Sequence, residues 1–315
     1  MKYTPVKLSP VFKDYLWGGE KLRTEYRKNT DLTPLAESWE LSAHRDGEST
    51  VSGGRYDGYT LTEYVEAIGR DALGTKARAF DYFPLLIKFI DAKGDLSVQV
   101  HPDDTYAMAN EGEYGKTEMW YVLDCEEGAA LCYGFRRDVT KEEYRAAIEN
   151  ETLTDLLLRV PVKKGDVFFI PAGTVHAIGA GIVICEIQQN SNTTYRVYDY
   201  GRRDKNGNLR PLHVKKALEV STLTKAPERP VIPQHGDALL ASCDYFTVSR
   251  RTVDGTAMLR TDTASFRALV VTDGSGELRG GSETLPVDKG DTVFLPAQDA
   301  TVTLCGSFDA IVASL

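Results

Sequence analysis

The nine residues KGDVFFIPA at Lys164–Ala172 decide the fold, because they recur as KGDTVFLPA at Lys289–Ala297. In both copies a Gly-Asp turn leads into an apolar run that stops at a proline, a pattern typical of a buried β-strand bounded by turns. A repeat of this kind within one chain indicates two related structural units. We therefore expect two related β-barrels.

Strand-like runs also dominate the rest of the chain, at residues 83–90, 96–100, 120–124, 182–187 and 266–272. Helical periodicity is confined to three segments, which are Leu61–Ile68, Thr105–Asn110 and Lys141–Leu158. These helices do not alternate with strands as they would in βαβ units. The predicted fold class is mainly β, a barrel with short helical excursions followed by a second, smaller barrel-like β domain.

A proline-rich segment, Lys225–Pro233, has three prolines in seven residues and is the predicted linker. We place a larger domain at residues 1–225 and a C-terminal domain at residues 226–315. When the register of the repeat is extended, His176 falls opposite Thr301 and Glu118 falls near Phe266. The second domain is therefore expected to be degenerate and to lack metal ligands.

Composition excludes several classes of partner. The net charge is -9 and no stretch clusters Lys and Arg, which argues against a nucleic-acid groove. No run approaches the roughly 20 apolar residues of a membrane span, and no apolar signal core follows the first residues. The five cysteines are odd in number and lack CxxC spacing, so we interpret them as free thiols. These features predict a cytoplasmic protein with neither a nucleic acid nor a membrane as partner.

Two further segments each place a histidine in a strand-like context, LSVQVHP at residues 96–102 and FIPAGTVH at residues 169–176. Gln99 and His101 are two residues apart and would share one face of a strand. Glu118 opens another apolar run, where a buried carboxylate needs a partner. With His176 these side chains give two nitrogen and two oxygen donors, a set that suits Zn²⁺ or another borderline divalent ion. The alternative is that each histidine is structural.

The order of these motifs resembles the type I mannose-6-phosphate isomerases of the cupin superfamily, in their short bacterial form. LSVQVHP is followed by KTEM at 116–119, by PAGTVH at 171–176, and by Glu186 with Arg196 ten residues later. The resemblance runs from Trp17 to about residue 200 and implies a cupin jelly-roll barrel. It further implies one zinc ion per chain, or another divalent metal, bound by Gln99, His101, Glu118 and His176. Residues 1–225 are then the catalytic, metal-binding domain.

The implied reaction is an aldose-ketose isomerisation of mannose 6-phosphate to fructose 6-phosphate by proton transfer through an enediol or enediolate. Such a reaction needs a base, an acid and a cation that stabilises the developing oxyanion. Arg196 matches the arginine that lines the family's active site, and a surface ion pair is the alternative for it. Glu186 is our candidate base, since burial on its apolar strand would raise its pKa. Lys116 matches an active-site lysine of the family, for ring opening or for moving the O1/O2 proton.

A phosphate clamp is implied by Ser97 and Lys88, which match a serine of the family and a lysine nine residues before it. An ordinary strand serine and an edge-strand lysine are the alternatives. His44, His213 and His235 have no companion at ligand spacing and are assigned no role. The partner is expected to be a small sugar phosphate, and the chain a monomer or a weak homo-oligomer.

Two departures from the family and two rival functions remain open. Longer members carry a tyrosine where this chain has Ile178, and the large helical insertion of those forms is missing. A cupin that binds a sugar without turning it over is the first rival, because a fold alone does not establish function. A cupin oxygenase or epimerase is the second, although Gln99 as a fourth ligand argues against an iron oxygenase.

Overall fold

The computed structural model describes residues 2–203, 207–281 and 283–315. Its backbone clusters into two compact units. The first unit comprises the N-terminal strands up to residue 14, residues 20–89 and residues 231–315. The second comprises residues 15–19 and 90–230, and it contains the predicted metal-binding motifs.

The strands are, in chain order, β1 (Val6–Ser9), β2 (Val11–Lys13), β3 (Glu37–Leu41), β4 (Ala43–His44), β5 (Gly47–Glu48), β6 (Thr50–Ser52), β7 (Leu85–Ala92), β8 (Val98–Val100), β9 (Glu118–Cys125), β10 (Ala130–Phe135), β11 (Leu157–Pro161), β12 (Val167–Ile170), β13 (His176–Ala177), β14 (Ile182–Gln189), β15 (Tyr195–Tyr198), β16 (Ala238–Ser242), β17 (Thr247–Thr261), β18 (Arg267–Gly280), β19 (Glu283–Asp288), β20 (Thr292–Leu295) and β21 (Ala300–Ser314). The α-helices are α1 (Lys21–Thr24), α2 (Leu61–Ile68), α3 (Asp104–Asn110), α4 (Lys141–Glu149) and α5 (Val214–Val220). Short 3₁₀ helices cover Gly54–Tyr56, Arg70–Leu73, Thr75–Ala79 and Leu153–Asp155.

The first unit is built on one large antiparallel sheet with the order β16-β17-β21-β18-β20-β1-β6, in which β19 pairs with β18. Its longest pairing joins β17 to β21 from Thr247 opposite Ser314 to Thr261 opposite Ala300. Alternate side chains along these strands form an apolar core that includes Leu269, Val293 and Val302. Strand β20 lies within the second copy of the sequence repeat and is buried. The prediction of a buried strand there is confirmed.

The second unit contains a five-stranded sheet with the order β11-β10-β13-β8-β15 and the antiparallel pairings of β9 with β12 and with β14. Val98, Val100, Ala177 and Val197 of the five-stranded sheet pack in one core with side chains of α4 and α5. Because strand side chains alternate between faces, the residues between them project to the opposite face. That opposite face carries the functional candidates.

The mainly β class is confirmed, and α2 spans the predicted residues. Thr60 caps its first turn by accepting from the Glu63 N–H at 3.2 Å, while the Glu63 side chain accepts from the Thr60 N–H. The predicted helix over residues 141–158 is wrong beyond Glu149, because Glu151 has a φ of 58° and Leu157–Pro161 forms β11. Helix α5 was not expected from the sequence.

The compact units differ from the predicted domains, because residues 20–89 cluster with the C-terminal strands rather than with residues 90–225. The break after residue 230 lies within the predicted linker. The division into a catalytic domain at 1–225 and a degenerate domain at 226–315 stays a prediction. No helix among the described residues is long and apolar enough to cross a membrane.

Candidate metal centre and active site

One row of polar side chains crosses three neighbouring strands of the five-stranded sheet. His176 on β13 lies opposite Gln99 on β8, and Gln99 lies opposite Arg196 on β15. Residues directly opposite each other in antiparallel strands project to the same face. Since Val98, Val100 and Val197 occupy the core face, the row points away from that core.

A second set of polar groups comes from β9 and β14. Glu118 lies opposite Gln188, and Trp120 lies opposite Glu186. The two positions on each strand are two residues apart and therefore share one face. Lys116 lies two residues before the first residue of β9 and contributes its side chain to the same group.

His101, Glu118 and His176 form a compact cluster in which one ligand atom from each lies within 4.8 Å of the others. The exposed fractions of these residues are 1%, 0% and 0%. Nε2 of His176 lies 3.3 Å from Glu118 Oε1, and Nε2 of His101 lies 3.7 Å from Glu118 Oε2. The half-buried carboxamide of Gln99 reaches within 3.5 Å of His176 Nε2. The structure thus brings together all four predicted ligands.

Both imidazoles are held in the form that binds metals. Nδ1 of His176 lies 2.8 Å from the Thr174 carbonyl oxygen, and Nδ1 of His101 lies 2.9 Å from the Thr193 carbonyl oxygen. Because a carbonyl oxygen only accepts, each Nδ1 carries a proton, and Nε2 is left with its lone pair. Burial, with a smaller contribution from the Lys116 cation, lowers the pKa of His176 to about 3. His176 is therefore neutral at physiological pH, as a metal ligand must be.

The carboxylate of Glu118 indicates that the cluster suits a cation. Its Oε1 is buried and accepts no hydrogen bond from any residue that the structure describes. Burial and the neighbouring Glu186 raise the pKa of Glu118, while the Lys116 ammonium opposes them. A divalent ion would satisfy the orphaned oxygen and favour the ionised carboxylate. The two imidazoles, the carboxylate and a carboxamide oxygen of Gln99 therefore fit a metal site.

Acid-base groups adjoin this cluster. Nζ of Lys116 donates to Glu118 Oε2 and lies 3.1 Å from His101 Nε2 and 3.8 Å from Glu186 Oε1. The Glu186 carboxylate is buried, and its Oε1 accepts from the indole N–H of Trp120 at 2.9 Å. An ammonium and a carboxylate thus lie beside the candidate metal ligands.

Comparison with known proteins places this arrangement in a family. The sequence model of the phosphomannose isomerase type I catalytic domain matches residues 6–129, and that of the mannose-6-phosphate isomerase cupin domain matches residues 237–315. The chain is 43% identical to a mannose-6-phosphate isomerase of Bacillus subtilis over 321 residues, which cover 100% of both chains. The chain belongs to the type I phosphomannose isomerase family.

Two further matches agree with the family assignment. A mannose-6-phosphate isomerase of Streptococcus mutans is 40% identical over 93% of this chain and 92% of its own. The crystal structure of the mannose 6-phosphate isomerase from Bacillus subtilis superimposes with a TM-score of 0.91 at 38% identity, over 99% of this chain and 100% of that chain. The cupin fold expected from the sequence is confirmed.

Arg196 lies at the edge of the site, half-buried on the same face as Gln99. Its Nη1 donates to the Pro211 carbonyl at 3.2 Å, and its buried Nε–H has no acceptor in the described part of the chain. Burial and the nearby arginines Arg210 and Arg202 lower its pKa. Among the described residues, no carboxylate forms an ion pair with Arg196, and its role stays a prediction.

The two residues of the predicted phosphate clamp lie in different compact units. Ser97 is buried and directly precedes β8 in the second unit. Lys88 is buried on β7 in the first unit, where its Nζ lies 3.6 Å from Glu37 Oε2 and 4.7 Å from the centre of the Trp39 ring. The clamp stays a prediction.

Sequence reasoning missed three residues that contact the candidate site residues. Trp120 holds Glu186, and the carbonyls of Thr174 and Thr193 fix the tautomers of the two histidines. The spacing of Trp120, two residues after Glu118, indicates a shared strand face and could have identified it. Backbone carbonyl partners depend on tertiary structure and leave no signal in side-chain identity.

Proposed function

We propose that this chain is a metal-dependent aldose-ketose isomerase that interconverts mannose 6-phosphate and fructose 6-phosphate. The observation that carries the proposal is the buried cluster of His101, Glu118 and His176, with Lys116 and Glu186 packed against it. Membership of the type I phosphomannose isomerase family supports the same substrate.

The proposed metal is one zinc ion, held by Gln99, His101, Glu118 and His176. Two imidazole nitrogens with two oxygens suit this borderline ion, and manganese or cobalt would compete for the same donors. When bound, the ion supplies Lewis acidity that polarises the sugar oxygens.

Proton transfer between C1 and C2 is assigned to Glu186. Its carboxylate is buried and is oriented by Trp120, which favours a defined position for the base. Lys116 would move protons on and off the sugar oxygens. Its ammonium lies 3.8 Å from Oε1 of Glu186, so it would be next to the carbons from which Glu186 removes the proton. The guanidinium of Arg196, with its buried and unsatisfied Nε–H, would stabilise the enediolate oxygen.

Ser97 and Lys88 are proposed to hold the phosphate of the substrate. Lys88 is the buried cation on β7, and Ser97 supplies a hydroxyl next to the strand that carries Gln99. A cytoplasmic location, where sugar phosphates are produced, belongs to the same proposal.

The proposal is tested by isomerisation in deuterium oxide with the isosteric variant Glu186→Gln. Proton transfer through an enediolate incorporates solvent deuterium at C1 or C2, which mass spectrometry of the sugar phosphates detects. We expect the variant to lose about 100- to 10,000-fold in turnover, the contribution of a general base, and to keep its metal. The exposed Glu142→Gln is the matched control. Full activity in Glu186→Gln would refute the role of Glu186.

The rival function, a sugar-binding protein without turnover, predicts a different outcome. Such a protein would bind mannose 6-phosphate in calorimetry and would convert none of it in the fully metallated form. The juxtaposed ammonium and carboxylate of Lys116 and Glu186 favour the enzyme, because mere binding does not require both beside a metal site.

A further inference from the structure

The turn before α5 is joined to β15 at a single residue, Arg196. The backbone N–H of Arg196 donates to Nδ1 of His213 at 3.1 Å, and the backbone N–H of His213 donates to the Arg196 carbonyl at 2.7 Å. Two residues earlier, the Pro211 carbonyl accepts from the guanidinium of Arg196 at 3.2 Å. Because β15 is the edge strand of its sheet, these bonds satisfy backbone groups that no further strand pairs.

We propose that His213 is a positioning residue for Arg196, acting as an uncharged hydrogen-bond acceptor that fixes the edge strand where the arginine enters the site. This inference rests on the proposed function, in which Arg196 stabilises the enediolate. His213 does not touch the reacting atoms and acts through the backbone of Arg196.

The surroundings hold this turn from both sides. Before it, Nε of Arg210 donates to Asp199 Oδ2 at 2.6 Å, which closes the connection between β15 and the turn. After it, Lys216 on α5 donates to Glu111 Oε1 at 2.5 Å, and the Tyr195 hydroxyl donates to the same oxygen at 2.6 Å. The segment that carries His213 is therefore held in place on both sides. If the Nδ1 acceptor of His213 moved, the backbone of Arg196 bonded to it would move as well.

The acceptor role requires that Nδ1 carry no proton, so that the neutral ring has its hydrogen on Nε2. Burial lowers the pKa of His213, and the cations of Arg196 and Lys216 lower it further, whereas the Glu111 carboxylate opposes them. The Tyr195 ring also faces the imidazole, with ring centres 6.1 Å apart. As pH falls below the ordinary histidine pKa of 6.5, protonation of Nδ1 would turn this acceptor into an N–H donor that points at the Arg196 N–H. It would also place a positive charge on His213 next to the Arg196 guanidinium.

The test compares His213→Ala with His213→Asn. The Oδ1 of an asparagine stands the same number of bonds from Cβ as Nδ1 of a histidine, so Asn keeps an acceptor that does not titrate. We expect His213→Ala to lose about 10- to 100-fold in kcat, with metal content and KM little changed, because misplacement of a catalytic group by 1 Å can cost about 100-fold. Asn should recover most of this loss. It should also abolish the decrease of kcat at low pH that protonation of His213 causes in the wild type. The exposed His235→Asn is the matched control.

Wild-type kcat and pH profile in His213→Ala would overturn the inference, as would an Asn variant as impaired as the Ala variant. A metallated wild-type protein without any turnover would instead refute the proposed function. In that case, long-range ¹H–¹⁵N NMR on the folded protein decides about His213. The Nε2–H tautomer at pH 7 supports the inference, and a protonated Nδ1 at pH 7 contradicts it.

Discussion

At the scale of single residues, the hydrogen bonds of the two histidines determine which ring nitrogen can bind a metal. The backbone carbonyls of Thr174 and Thr193 engage Nδ1 of His176 and His101, and both Nε2 atoms lie beside the Glu118 carboxylate. The sequence predicted four candidate ligands by type and strand context, because alternation along a strand is a local property. It could not predict these carbonyl partners or the hydrogen bonds between His213 and Arg196, which depend on segments brought together only by folding.

His101→Ala is expected to reduce the bound metal well below one ion per chain while leaving the fold intact, because the remaining donors form an incomplete set. Metal content by mass spectrometry and far-UV circular dichroism measure the two effects. The exposed His235→Ala is the control. A fully loaded His101→Ala protein with full activity would remove His101 from the ligand assignment.

Arg196→Ala should lower turnover by about 100- to 1,000-fold with metal content unchanged, the range seen when one donor to a developing oxyanion is removed. Steady-state kinetics with mannose 6-phosphate measure the loss, and the exposed Arg260→Ala serves as the matched control. Wild-type kcat in Arg196→Ala would exclude a role for this side chain in catalysis.

At the scale of elements, predictions succeeded where the pattern was local and failed where it was ambiguous. The helical periodicity of Leu61–Ile68 identified α2, since this signal lies within two turns of the chain, and the structure adds a capping box at Thr60. Residues 150–158 continue an apolar spacing that also fits a helix, yet the chain turns at Glu151 with a positive φ and forms β11 from Leu157 onward. A non-glycine residue at such a position gives no turn signal in the sequence.

The capping box of α4 provides a prediction at this scale. The Thr140 hydroxyl accepts from the Glu143 N–H at 3.1 Å, so Thr140→Ala should lower the free energy of unfolding by about 1 kcal/mol. Denaturant titration measures this change, and Thr140→Ser, which keeps the hydroxyl, should retain most of the stability. An unchanged midpoint in Thr140→Ala would show that the cap contributes nothing.

The same capping box should make stability depend on pH in the acid range. Hydrogen bonds from Arg137 and from the Thr140 backbone lower the pKa of Glu143 to about 2. Because the folded pKa is below the ordinary value of 4.5, the contribution of the carboxylate is present above pH 4.5 and is lost as pH falls through about 2. The difference in unfolding free energy between the wild type and Glu143→Gln, measured from pH 6 to 2, should shrink accordingly. A constant difference would contradict this assignment.

At the scale of the whole molecule, the internal repeat predicted two related β units, but the segments that build each unit could not be read from it. Strand β1 pairs with β20 and with β6, so residues near the N-terminus complete a sheet formed mainly by the C-terminal strands. Local periodicity carries no information on pairing between strands almost 290 residues apart. The mainly β class could therefore be predicted from the sequence, whereas the segments that make up the first unit required the structure.

The central claim, a metal-dependent isomerase, is tested most directly by conversion of mannose 6-phosphate to fructose 6-phosphate before chelation, after chelation and after zinc is restored. We predict turnover in the metallated protein, its loss when the metal is removed and its return with one zinc ion per chain. No conversion by a protein that carries one metal ion per chain would contradict the account.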